Sequence, residues 1–183
     1  MAGVLLLVVG PSGAGKDTLL AGARAALEGR GFVFPRRMIT RRADAGGEDH
    51  IAATADDMAR RAARGEFALT WSAHGYSYGI PEAMSDDLAA GRHVVVNVSR
   101  SMIDVARHNF AHVGVVLVSA PQGRLRERLG ARGREDAVSL DRRLARAAAY
   151  EVAGDDVIEV INDGTVAEGV ARLVAALEAL VTR

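Results

Sequence analysis

The sequence predicts an α/β fold in which a central parallel sheet is covered by helices on both faces. Three observations carry that expectation. Apolar runs of strand length alternate with segments of helical spacing. The runs are continuously apolar, as strands buried on both faces are. The first run passes through a glycine-rich turn directly into a helix, in the stretch "VVGPSGAGKDTLL" at residues 8–20.

Each element has its own justification. "VLLLVV" at residues 4–9 is a buried strand that stops at Gly10. Residues 17–29, "DTLLAGARAALEG", have helical spacing and stop at a glycine. "HVVVNV" at 93–98 and "VGVVLV" at 113–118 are two further buried strands, and "VIEVIN" at 157–162 is the last. "VAEGVARLVAALEALV" at 166–181 is a closing amphipathic helix. Two stretches break the alternation. Residues 35–53 are rich in Arg, Gly and acids without apolar periodicity. Residues 123–151 hold eight arginines against five acids, and glycines interrupt the helical pattern where the charge is densest, in "RLGARGRE". A solvated helix face with i,i+4 ion pairs accounts for some of those arginines.

Bulk properties narrow the function classes. A chain of 183 residues with 49% hydrophobic content suffices for one domain with a core. Lys+Arg and Asp+Glu both number 23, a balance that argues against a nucleic-acid partner. Without cysteine there is no disulfide, thiolate nucleophile or cysteine metal site. The apolar start is too short to span a bilayer and has no basic segment before it, so a soluble cytoplasmic protein is expected. Lys16 is the only lysine; the other 22 Lys/Arg positions are arginine. A compact ammonium among phosphates is a task that arginine's planar fork does not replace.

"GPSGAGK", residues 10–16, follows a strand and opens a helix, the context that makes a phosphate-binding loop specific. Gly10, Pro11, Ser12, Gly13, Ala14 and Gly15 form a turn whose N–H groups cradle phosphate oxygens, at a helix N-terminus of positive potential. Lys16 bridges the transferring phosphate. The plainer alternative is a glycine-rich turn without a ligand. After the lysine such loops carry Ser or Thr to hold magnesium, and here Asp17 stands, followed by Thr18. The strand where an acid often orients the magnesium shell carries Asn97. Asp17 therefore has two readings: the metal-orienting carboxylate that the Asn97 strand lacks, or a favourable acid in a first helical turn.

On these motifs the chain resembles, over nearly its whole length, the guanylate-kinase branch of the nucleoside-monophosphate-kinase-like P-loop NTPases. "GPSGAGK" is similar to that family's loop, "ITRRADAGGEDH" to a shortened acceptor-phosphate segment, and "WSAHGYSYGIP" to its HG-x-x-YG turn. "RLGARGRE" and "DRRLARAAAYE" resemble its lid, and "VINDG" the segment near the adenine, which includes Asn162. The resemblance implies a three-layer single kinase domain: core 1–34, 80–122 and 152–183, an acceptor-binding insertion 35–79 and a lid 123–151. Departures bear on the acceptor. Guanine-binding carboxylates are replaced by Leu69 and by Asn97 and Ser99, and a base whose N–H donors find no acceptor is strongly rejected.

A narrower set resembles the ribose 1,5-bisphosphate phosphokinase family: "GPSGAGKDTLL", "ITRRADAGGEDHIA", W-x-x-HG-x-x-YG, "VVNVSR", "RGRE", "RLARAAAY" and "NDG". That family keeps aspartate after the loop lysine. The resemblance implies transfer of the ATP γ-phosphoryl to the 1-phosphate of ribose 1,5-bisphosphate, with Mg²⁺, in bacterial phosphonate breakdown. It assigns the loop and Asn162 to ATP, and Asp17 and Thr18 to Mg²⁺. Lys16, Arg128, Arg132, Arg134 and Arg143 go to the transferring group, with Arg146 a further candidate. Arg41, Arg42, Glu48, Asp49, His50, Tyr78 and Arg100 go to the acceptor, since arginine forks suit two phosphates on one sugar. Taken singly, each lid arginine is equally a weak surface ion pair, His50 and His74 are loop or packing residues, and Trp71 is core. The partners expected are ATP and a small sugar phosphate, with no nucleic acid and no membrane. Two other readings stay open: a nucleoside-monophosphate kinase of altered base preference, and a non-catalytic guanylate-kinase-like binding module.

Overall fold

The computed structural model describes residues 2–42, 49–130 and 152–182, with the backbone alone for 127–130. In chain order the elements are β1 (Leu5–Val9), α1 (Lys16–Leu27), β2 (Phe32–Val33), β3 (Met38–Ile39), β4 (Ile51–Ala52), α2 (Ala55–Ala63), β5 (Phe67–Ala73), β6 (Tyr76–Pro81), α3 (Met84–Ala89), β7 (His93–Asn97), α4 (Ile103–Asn109), β8 (Val113–Ser119), α5 (Gln122–Gly130), β9 (Val157–Ile161) and α6 (Val166–Val181). Among the described residues the strands form two sheets, ordered β2-β7-β1-β8-β9 and β4-β3-β6-β5. Every pairing in the first is parallel.

β1 shows why the sequence reads as an unbroken apolar run. All five of its residues are fully buried. Leu5, Leu7 and Val9 enter one cluster with Val94, Val96, Ile103 and Ala106. Leu6 and Val8 point the other way, against Leu19, Ala23 and Leu27 of α1 and Leu173 and Leu177 of α6. Successive side chains alternate between faces, and both faces are covered. The structure agrees with the parallel sheet flanked by helices, and α6 occupies the residues that its spacing predicts.

The second sheet lies in the region expected to be an insertion. Residues 35–53, read as aperiodic, carry β3 and β4, each of two residues and too short to show a period. β5 and β6 are an antiparallel hairpin whose two-residue turn, His74–Gly75, has positive φ at both positions (54° and 78°). Such a turn matches the right-handed twist of its strands, and glycine takes it without strain. The "HG" of the sequence is thus a hairpin turn. Ile39, Leu69, Trp71, Tyr78 and Ile80 join the same buried cluster as Leu5 and Leu7, so the small sheet is packed onto the large one.

The carboxyl ends of β1 and β7 lie side by side, Val8 opposite Asn97. β1 is flanked by β7 on one side and β8 on the other. Open α/β sheets bind ligands at such a switch point. No helix among the described residues is long and apolar enough to cross a membrane.

Candidate active site

The turn between β1 and α1 is forced by its neighbours. Gly10 has φ 145°, and a Cβ there would lie 2.0 Å from the carbonyl oxygen of Val118 on β8. Only glycine lets the chain leave β1 this close to the next strand. Gly13 and Gly15 also have positive φ, and Gly15 is the N-cap of α1 with no side-chain cap bond. The helix N-terminus is left to an incoming anion. Lys16 Nζ is folded over the loop, donating to the carbonyls of Gly10 at 2.7 Å and Pro11 at 3.0 Å. From beneath, the buried Asn162 Nδ2 donates to the carbonyl of Ala14 at 2.7 Å. The structure thus places Asn162 as a brace of the loop.

Asp17 and Asn97, the two positions that depart from the usual loop chemistry, meet. Asn97 Nδ2 donates to Asp17 Oδ1 at 2.9 Å across 80 residues of sequence. A cavity of about 590 Å³ opens beside them, lined by Asp17, Thr18, Arg24, Arg37, Asp49 and Asn97 among others. It runs from the first turn of α1 to the insertion. Arg24 forms part of its wall, donating to the carbonyl of Phe34 at 2.6 Å with its guanidinium 5.8 Å from that ring. Asp49 is held by Arg36 at 3.0 Å.

Of the other predicted acceptor residues, Arg41, Arg42, His50, Tyr78 and Arg100 do not line this cavity. Two side-chain nitrogens of Arg41, Nε and Nη2, are buried and have no hydrogen-bond partner among the described residues. Buried donors are normally paired, so an anion is the chemistry that this guanidinium lacks. His50 is buried, and its Nε2 lies 3.1 Å from the carbonyl of Arg41, bracing the backbone beneath that arginine. Tyr78 stacks on Trp71, ring centroids 5.1 Å apart and nearly parallel, and Trp71 is core. Leu69 is buried in the same cluster. Arg42 is exposed at the edge of the described segment, and Arg100 opens the short 3-10 turn after β7. Arg128 falls in the last turn of α5, whose side chains lie outside the described residues. Glu48, Arg132, Arg134, Arg143 and Arg146 lie outside them altogether.

Sequence reasoning missed Arg37. It is 9% exposed, donates from Nη1 to the carbonyl of Asn97 at 2.6 Å and lies over the Tyr78 and Trp71 rings at 5.4 and 5.8 Å. A signal was available: in "RMITR", Arg37, Ile39 and Arg41 sit two apart, so a strand turns all three to one face.

The residues fit a nucleotide and a magnesium ion. The glycine turn, the uncapped helix start and Lys16 suit phosphates. Asp17 and Thr18 supply hard oxygen donors at the cavity. Among the described residues no cluster of three metal-ligating side chains exists. Magnesium is commonly held by one or two protein oxygens together with substrate phosphates.

No protein-family model matches the chain. Its fold is that of a guanylate kinase from Anaplasma phagocytophilum, with a TM-score of 0.69 at 20% identity over all of this chain and 88% of that one. The chain is 47% identical to a bifunctional ribose 1,5-bisphosphokinase-thymidine phosphorylase of Roseobacter denitrificans over 95% of its own length, but spans only 26% of that relative. A ribose 1,5-bisphosphate phosphokinase PhnN of Rhodopseudomonas palustris is 50% identical, over 88% of this chain and 90% of the relative. At that identity and mutual coverage, the chain belongs to the ribose 1,5-bisphosphate phosphokinase PhnN family.

Proposed function

We propose that this chain transfers the γ-phosphoryl group of ATP to the 1-phosphate of ribose 1,5-bisphosphate, giving 5-phosphoribosyl 1-diphosphate and ADP, in the cytoplasm. The observation that carries the reading beyond family membership is the cavity that runs from Asp17 and Thr18, at the start of α1, to Arg37 and Asp49 of the insertion. In the reaction an oxygen of the acceptor phosphate forms a bond to the γ-phosphorus, and the bond from that phosphorus to the β-phosphate oxygen breaks. The acceptor oxygen is already ionised, so no base has to remove a proton. What the protein supplies is position and positive charge.

Residues 10–16 hold the ATP phosphates, with Lys16 carried from the Gly10 and Pro11 carbonyls to the transferring group. Asp17 and Thr18 hold Mg²⁺, which when bound neutralises charge shared by the β- and γ-phosphates. The insertion, residues 35–79, takes the acceptor. Arg41, whose two buried nitrogens have no partner among the described residues, suits an acceptor phosphate; Arg42, Glu48, Asp49, His50, Tyr78 and Arg100 complete the assignment. Arg128, Arg132, Arg134 and Arg143, in the segment 123–151, are assigned to the transferring phosphoryl. Against a guanine acceptor stand the burial of Leu69 and the engagement of the Asn97 amide with Asp17.

The test is ADP release with ribose 1,5-bisphosphate, GMP, AMP and UMP offered separately. ADP with the sugar bisphosphate alone is expected. ADP with a nucleotide alone would overturn the reading in favour of a nucleoside-monophosphate kinase. No ADP with any acceptor, from folded protein, would favour a binding module.

A further inference from the structure

We infer that Arg37 is a positioning residue for phosphoryl transfer: by holding the end of β7, it fixes the Asn97 amide and through it the Asp17 carboxylate. The inference rests on the proposed reading of Asp17 as the magnesium-orienting group.

Three segments distant in sequence meet in one chain of bonds. Arg37 enters β3 from the insertion, Asn97 ends β7, and Asp17 sits in the first turn of α1. Arg37 Nη1 donates to the Asn97 carbonyl at 2.6 Å, and Asn97 Nδ2 donates to Asp17 at 2.9 Å. The first is a charge-assisted bond, stronger than a neutral one, and it pins the residue whose side chain makes the second. Arg37 is itself held on its other side by the stacked Trp71 and Tyr78. A guanidinium in this near-buried slot carries a desolvation cost that an apolar side chain would avoid. Its two aromatic neighbours offset part of that cost, and its bond to Asn97 is the feature that an apolar residue would lack. The same side chain lines the cavity. Beside the apolar packing of the two sheets, this guanidinium thus ties the small sheet to the end of β7, next to Asp17.

The readout is the factor by which Mg²⁺ tightens ATP binding, taken by calorimetry with and without the ion, alongside thermal melting and the rate of ADP release. Asp17→Ala is expected to remove about tenfold of that factor, one magnesium–carboxylate contact. Arg37→Met, which keeps the stem against the rings and removes the donors, is expected to lose a similar factor. Asn97→Ala should do the same. The double variant Arg37→Met/Asn97→Ala should lose no more than Asn97→Ala alone, because groups in one network do not add. Arg37→Lys, which keeps a donor, should recover part of the loss. If Asp17→Ala loses the factor and Arg37→Met keeps it, Arg37 has no such role while the reading of Asp17 stands. If Asp17→Ala itself keeps the factor, that reading fails and this inference fails with it. Should Arg37→Met melt below the assay temperature, Asn97→Ala decides: an undiminished factor breaks the link between Arg37 and Asp17 and overturns the inference.

Discussion

At Arg41 binding and stability pull in opposite directions. Its Nε and Nη2 are buried without a partner among the described residues, so the guanidinium bears a desolvation cost that none of those residues returns. Arg41→Met removes that cost and keeps most of the side-chain volume. Urea unfolding is expected to show unchanged or slightly higher stability, while KM for the sugar bisphosphate rises by at least ~10-fold through loss of a charge-assisted contact. A stability loss above about 2 kcal/mol with KM unmoved would mark Arg41 as structural. Gly10 is the opposite kind of residue: 2.0 Å between its notional Cβ and the Val118 carbonyl makes it a backbone requirement. That requirement was legible in "GPSGAGK". The unpaired nitrogens of Arg41 were not, because pairing is decided by what folds around a side chain.

Among the elements, α6 has the most direct link to the site without touching it. Its start is a capping box: Thr165 Oγ1 accepts from the Glu168 N–H at 3.3 Å, and Glu168 Oε2 accepts from the Thr165 N–H at 2.8 Å. The cap fixes the chain just after β9, where Asn162 holds the loop carbonyl of Ala14. Gly169 then lets α6 come close, since a Cβ there would meet Leu19 Cδ2 at 2.7 Å and Asn162 Oδ1 at 2.9 Å. Thr165→Ala is expected to cost about 1 kcal/mol, the usual cost of a lost N-cap, seen as a melting point lower by ~2–4 °C. Unchanged melting would show that the cap is not limiting. On the far side of the sheet, Arg107 of α4 forks onto Asp156 at 2.9 and 2.6 Å and reaches the Ala153 carbonyl at 3.0 Å, tying down the chain that leads into β9. The fork draws the Arg107 pKa above its ordinary value, chiefly through the hydrogen bond to Asp156.

At the scale of the whole molecule, three groups among the described residues bear on the acid side of the stability curve. Burial holds the His93 imidazole below its ordinary pKa of 6.5; its Nδ1 accepts the Val4 N–H at 3.2 Å, and its ring lies against Phe32. Above the ordinary value both folded and unfolded chains are neutral there. As pH falls through it, the unfolded chain takes up a proton that the folded chain resists, so stability declines. Asp163 is held low chiefly by its hydrogen bond from Arg172, and Glu168 chiefly by the Thr165 N–H. Their contributions are present above the ordinary carboxylate values and disappear as pH falls through the folded ones. Urea midpoints are expected to decrease in two stages, one that sets in as pH falls through the ordinary imidazole value of 6.5 and one below about pH 4.5. His93→Gln, which can still accept the Val4 N–H, should abolish the first and leave the second. A first stage that persists in His93→Gln would assign it elsewhere.

The sequence by itself determined the parallel sheet, the phosphate-binding loop and the closing helix, because each is written in local pattern: unbroken apolar runs, a glycine turn between strand and helix, and helical spacing. It also singled out Asp17, Asn97 and Leu69 as departures from the related motifs, through motif spacing. Only the tertiary structure decided that Asp17 and Asn97 touch, that Asn162 braces the loop, and that Arg37 reaches the Asn97 carbonyl. Those relations join residues 60 to 148 positions apart. They depend on strand order and on how the small sheet is packed against the large one, which no local pattern encodes.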